Sequence, residues 1–161
     1  MITYRKATAD DLERIWDMNI RHSPDDSRWV RWKEQYIGYN LSGAAVTFVI
    51  LDGDFPIGEV TLILSPECKA VKGRPRLADG WKTGNVNALR IRKEYEGKGY
   101  VSGLIKYLEA YAAEAGLDRL TIGVEAAEAR NLAIYLHWGY TEFVYSETDC
   151  GELILYYAKN I

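Results

Sequence analysis

The sequence predicts an α/β fold built on a mixed sheet, and three observations carry that expectation. Stretches that alternate with a two-residue period are interleaved with stretches whose apolar residues recur every three or four positions. The order along the chain, β-α-α-β-β-β-α-β-α-β-β, is neither a run of strands nor a run of helices. At 161 residues and 48% hydrophobic content, the chain has enough apolar surface for one core, so a single domain over residues 1–161 is expected.

The opening ITYRKAT alternates as a first strand, and TADD behind it reads as a capping box with Thr8 as N-cap and Asp11 three residues on. The first helix carries Leu12, Ile15, Trp16 and Ile20 on one stripe. SPDD predicts a second start, with Ser23 as N-cap, Pro24 at the first helical position, and Asp25 and Asp26 complementing the dipole in the first turn. Trp29, Trp32 and Tyr36 follow on that helix. AAVTFVILDGDFPIGEVTLIL supplies two strands joined around Asp52-Gly53. Residues 65–84 show no period, which for so long a connection suggests either a functional lid or a disordered insertion.

In NVNALRIRK, Val86 and Ala88 share one phase of alternation while Leu89 and Ile91 share the other, and such a slip predicts a β-bulge. After the loop EYEGKG comes a helix with the stripe Val101, Leu104, Ile105, Leu108, Ala112 and Ala115, ended by Gly116. RLTIGVE reads as a buried strand, AEARNLAIYLHW as a short helix stopped at Gly139, and YTEFVYSE with ELILYYAK as a final strand pair.

Several classes of function are disfavoured at once. A net charge of −3 with no Lys/Arg run argues against a nucleic-acid surface. The longest apolar run, Ala44 to Leu51, is too short to span a bilayer, and the first residues lack the apolar centre of a signal peptide, so no membrane association and a cytoplasmic location are expected. Cys68 and Cys150 fit neither a zinc site nor a disulfide framework and read as reduced thiols, and with only His22 and His137 besides, no metal is expected.

The chemistry concentrates where Gly97, Gly99 and Gly103 lead into a helix, because a helix start presents unpaired N–H groups and positive dipole character to an anion. A plain turn would use the same glycines. A Walker loop needs Gly-Lys-Ser/Thr, but Lys98 precedes Gly99 and no Ser or Thr follows directly. A dinucleotide fingerprint would need glycine at Ser102 and an early position in a doubly wound fold.

The stretch LRIRKEYEGKGYVSGLIKYLEAYA, followed by NLAIYLHWGYTEF, resembles the strand, loop, long helix and Tyr-bearing helix of the GNAT N-acetyltransferases. The element order resembles that family over the whole chain, and the likeness is sharpest from Asn87 to Phe143. It implies a mostly antiparallel central sheet with helices on both faces, acetyl-CoA as co-substrate, and transfer to an amine. The family's loop reads Arg/Gln-x-x-Gly-x-Gly/Ala; aligned on Gly99, this chain departs from it at Glu96 and Val101. By this resemblance Leu89, Ile91, Glu96, Gly97, Lys98, Gly99, Tyr100, Val101, Ser102, Gly103 and Asn131 are the cofactor-binding set, the loop acting chiefly through backbone N–H groups. Tyr135 is implied as general acid, its other reading being a core aromatic. Glu59 and Glu125 are alternative general bases, either of which could instead be a solvated strand-end residue. Trp29, Trp32 and Tyr36 are candidates for the acceptor wall or for the core. The acceptor, a small molecule or a peptide, is not legible, and a homodimer stays open. A non-catalytic acyl-CoA sensor that keeps the loop without using Tyr135 is the rival expectation.

Overall fold

The computed structural model describes residues 1–161. Its elements follow the expected order: β1 (Ile2–Lys6), α1 (Ala9–His22), α2 (Arg28–Ser42), β2 (Ala45–Asp52), β3 (Phe55–Ile63), β4 (Thr83–Ile91), α3 (Tyr100–Glu114), β5 (Arg119–Glu125), α4 (Ala129–His137), β6 (Glu142–Asp149) and β7 (Glu152–Asn160). The seven strands form one sheet in the order β1-β2-β3-β4-β5-β7-β6. Pairing is antiparallel for β1/β2, β5/β7 and β6/β7, and parallel for β4/β5, a pair whose crossover is α3.

The chain folds as two compact units, each assembled from two separate stretches. The first comprises Met1–Leu62 and Ala88–Leu108. Its core contains Ile15, Trp16, Phe48, Ile50, Ile57, Val60, Leu104 and Leu108, all essentially excluded from solvent. The capping box forms as the sequence predicts: the Asp11 N–H donates to Thr8 Oγ1 at 3.2 Å and the Thr8 N–H to Asp11 Oδ2 at 2.8 Å. Arg5 adds an ion pair to the same carboxylate.

The start of α2 is a correction. Ser23 closes α1 rather than opening α2; the Asp26 N–H donates to Ser23 O, and Pro24 and Asp25 are the central residues of a β-turn. The helix begins four residues later behind Ser27, and the Asp26 carboxylate takes the Arg28 N–H at 3.1 Å. Proline suits the second position of a turn as well as it suits a helix start, so SPDD alone does not distinguish the two. The β2–β3 hairpin closes over Gly53 and Asp54, with Gly53 at φ +60°.

The second unit comprises Ile63–Asn87 and Glu109–Ile161. Residues 65–84 are neither lid-like nor loose within it. Cys68, Val71, Leu77 and Ala78 are buried, and Asp79 Oδ1 accepts the N–H groups of Trp81, Lys82 and Thr83 at 2.8–2.9 Å. Arg74 pairs with Glu147 and donates to Tyr145 at 2.9 Å, fastening the segment to β6. The helix stop at Gly116 is a Schellman motif: the Gly116 N–H reaches Ala113 O and the Leu117 N–H reaches Ala112 O, with Gly116 at φ +91°. Ala115, expected on the buried stripe, is exposed just before that stop. The β6–β7 turn places Cys150 at φ +51° and Gly151 at +82°, the two left-handed residues of a type I′ hairpin.

Candidate active site

The backbone of β4 is irregular where the phase slips, as the expected bulge requires. Ala88 adopts φ +52°, a left-handed conformation rare for a residue with a Cβ. Ahead of it, β4 pairs with β5 from Thr83↔Arg119 to Val86↔Ile122. Beyond it Leu89, Arg90 and Ile91 complete β4, and the Arg92 N–H donates to Ile57 O at 2.8 Å.

The loop that follows belongs to the first unit. A single 3-10 turn over Lys93–Tyr95 delivers the chain to Glu96 in extended conformation, and Gly97 (φ +74°) and Gly99 (φ +81°) then turn it into α3. The first helical bond there is the Gly103 N–H to Gly99 O at 3.2 Å, so the N–H groups of Tyr100, Val101 and Ser102 are start-of-helix donors. A Cβ built on Gly97 or Gly99 would meet nothing within 4 Å. These two glycines therefore serve backbone conformation and leave the loop open to a ligand. Gly103 differs: a Cβ there would lie 2.3 Å from the Tyr4 hydroxyl, so its close approach is to Tyr4. Glu96 is exposed, and the Lys98 ammonium sits 5.6 Å from the centre of the Tyr95 ring. The Tyr95 hydroxyl in turn donates to Asp52 at 2.9 Å.

The same unit holds a polar cluster that the sequence reading only half anticipated. Glu59, on β3, is buried, and its Oε1 accepts from Arg90 Nη1 at 2.5 Å and from Asn19 Nδ2 at 2.9 Å. The guanidinium of Arg90 lies 5.2 Å from the Trp16 ring centre and 4.8 Å from that of Trp29. Trp29 meets Trp32 edge to face at 5.1 Å, and Arg28 lies over Trp32. Tyr36 is buried against Trp16 at 5.1 Å and belongs to the core, whereas Trp29 and Trp32 are half-buried. Arg90 and Asn19 were missed because neither belongs to a motif; the signal for Arg90 was its place beside the phase slip.

In the second unit, Tyr135 lies near the end of α4, half-buried and stacked on Trp138 at 5.7 Å. Burial pushes its hydroxyl above the ordinary tyrosine range, and the Glu128 carboxylate adds to the effect. Asn131, one turn earlier, donates to Glu128. Glu125 ends β5 as an exposed residue opposite Ile154 of β7. Tyr140, just past Gly139, is fully buried; burial and the neighbouring Glu109 raise its pKa strongly.

Comparison with known proteins gives these features a context. The family model described as the acetyltransferase (GNAT) family matches residues 6–140. No curated protein matches. Among solved structures, the ribosomal-protein-alanine N-acetyltransferase of Brucella melitensis is 14% identical with a TM-score of 0.72, covering 99% of both chains. An N-acetyltransferase from Staphylococcus aureus is 14% identical with a TM-score of 0.73, over 99% of this chain and 98% of that one. A spermidine N-acetyltransferase chimera from Vibrio cholerae and hSSAT is 20% identical with a TM-score of 0.71, over 99% and 94%. At such identities the likeness is one of fold. The family match spans most of the chain, including the bulged strand, the glycine loop and the helix of Tyr135, and on it the chain belongs to the GNAT acetyltransferase family.

Proposed function

We propose that this chain is an acetyl-CoA-dependent N-acetyltransferase that moves an acetyl group to a primary amine by direct attack, with residues 1–161 acting as one catalytic domain. The observation that carries the proposal is the open, left-handed pair Gly97 and Gly99 leading into α3 within a chain of this family. Acetyl-CoA supplies the activated acyl group as a thioester. The N–H groups from Gly97 to Ser102 would hold its diphosphate, Ser102 adding a hydroxyl, and the backbone would bear most of that load because Lys98 is engaged by Tyr95.

The rest of the chemistry falls to the chain's own groups. The Leu89 N–H, beside the bulge, would donate to the acyl oxygen as negative charge develops there. The amine must reach the acyl carbon neutral, so a carboxylate has to accept its proton, directly or through water. Glu125 suits that role better than Glu59, whose carboxylate already accepts from Arg90 and Asn19. Tyr135 would protonate the departing thiolate; its raised pKa keeps the proton in place at neutral pH and above. A sensor would keep the loop and dispense with Tyr135.

Calorimetry tests the loop. CoA and acetyl-CoA should bind, and at a hundredfold excess over Kd should stabilise the fold by about 2.7 kcal/mol, whereas ATP and NAD should not. Absence of CoA binding at millimolar concentration would refute this assignment. Release of CoA thiol with an amine panel separates the enzyme from the sensor.

A further inference from the structure

Arg90 is placed to do more than neutralise Glu59. Its guanidinium carries five N–H donors. The protein takes one of them, the Nη1 bond to Glu59 at 2.5 Å, while the guanidinium carbon lies 5.2 Å from the Trp16 ring centre and 4.8 Å from that of Trp29. Nε and Nη2 make no hydrogen bond to the protein and remain for a further acceptor. The pair is also asymmetric in its access to water. The Arg90 side chain is 31% exposed and that of Glu59 only 4%, so a charged group arriving from solvent meets the cation and not its counter-ion.

Each of the tryptophans nearby already has a guanidinium beside it. Arg90 stands over Trp16 and Trp29, and Arg28, itself bound to Asp26 at 2.8 Å, stands over Trp32. An incoming ammonium at those rings would meet a guanidinium of its own charge. A carboxylate would find a planar fork tethered by a buried carboxylate, itself bonded to Asn19, beside two tryptophans. Because the side chain is held before anything binds, little rotamer entropy remains to be lost on binding.

We infer that Arg90 selects the acceptor by binding a carboxylate on it, so that the substrate class is an amine that also carries a carboxylate, such as an amino acid, rather than a polyamine. Glu59 is then a positioning residue, holding Arg90 in register. This inference rests on the acetyltransferase assignment above. Arg90 lies one residue from the Leu89 N–H assigned to the acyl oxygen, which puts the recognising cation and the reacting backbone on the same short piece of β4.

The test is acetyl-CoA turnover, followed by CoA thiol release, on the common amino acids, their carboxamides, spermidine and putrescine. At least one amino acid should be acetylated, with kcat/KM about tenfold to hundredfold above its carboxamide, the worth of a charge-assisted hydrogen bond. In Arg90→Met that ratio should fall to near one, through a rise in KM for the amino acid. Glu59→Gln should raise the same KM while leaving the shape of the pH profile of kcat in place, which loss of a general base would not do. A ratio near one in the wild type, a ratio retained in Arg90→Met, or spermidine as the better acceptor would each overturn the inference. If CoA binds and no carboxylate-bearing amine is acetylated, the inference fails and the CoA assignment stands; if CoA does not bind, both fail. CoA titration of each variant shows whether it is folded, and Arg90→Lys, which keeps the charge but loses the fork, should give an intermediate ratio.

Discussion

Replacing Tyr135 by phenylalanine removes one hydroxyl and keeps the ring that stacks on Trp138. CoA affinity and folding should hold, while turnover should drop on the order of 10²-fold, the usual contribution of a general acid. The pH dependence has a definite sign. Burial, and then Glu128, raise the Tyr135 pKa, so the protonated form persists past the ordinary tyrosine value of about 10, and kcat should show no loss from this group below that pH. A wild-type alkaline limb near neutrality that disappears in Tyr135→Phe would contradict this. At the scale of single residues the sequence was uneven as a guide. Thr8 and Asp11 were legible because a capping box is local, written in positions three residues apart. Glu59 was singled out as a carboxylate, but its bonds to Arg90 and Asn19 were not legible, because they join residues 31 and 40 positions apart and no local pattern records them.

At the scale of an element, the loop into α3 separates backbone from side-chain recognition. Gly99 sits at φ +81°, where a β-branched side chain is strained whatever space surrounds it. Gly99→Val should therefore weaken CoA by at least about tenfold, from a left-handed strain of roughly 1–2 kcal/mol together with a side chain in the open approach. Lys98→Ala should cost only about threefold, the scale of an exposed charge. Isothermal titration of both variants decides: a larger loss for Lys98 would assign the diphosphate to a side-chain clamp. The elements were well marked because their signals are periodic, and the left-handed backbone at Ala88 was foreshadowed by an exchange of phase between Ala88 and Leu89. The α2 start was misread because Ser-Pro-Asp-Asp satisfies the rules of a turn as fully as those of a helix. Residues 65–84 gave no period because their order comes from Asp79 gathering three N–H groups and from Arg74 reaching Glu147, neither of which repeats. Nor does any local pattern record that Gly103 lies against Tyr4, nearly a hundred positions earlier.

For the molecule as a whole, acid is the weak side. Burial opposes ionisation of Asp11, yet Arg5 and Thr8 outweigh it and hold the carboxyl below its usual range; at Asp79 burial is likewise outweighed by the N–H groups of Thr83, Trp81 and Lys82. Arg74 lowers Glu147, and Arg28 brings Asp26 to about 2. Groups depressed on folding contribute stability that is complete above their unfolded values near 4, and that stability is lost as pH falls through the lower folded values. Thermal midpoints should hold from neutrality to about pH 4 and then decline, with the decline shallower in Asp11→Asn and Asp79→Asn, both of which start lower at pH 7. A midpoint that falls already between pH 7 and 5 would point to some other titrating group. The interleaving of the two units has a consequence for how the chain is made. The first unit ends at Leu108 but is interrupted by residues 63–87, which belong to the second. As the chain leaves the ribosome, Phe48 waits for Tyr107, its ring partner at 5.7 Å, while an unrelated stretch is synthesised in between. Neither unit is translated as one uninterrupted stretch, so the nascent chain carries unfinished apolar strands until residue 108 has been made, an interval in which chaperones can bind.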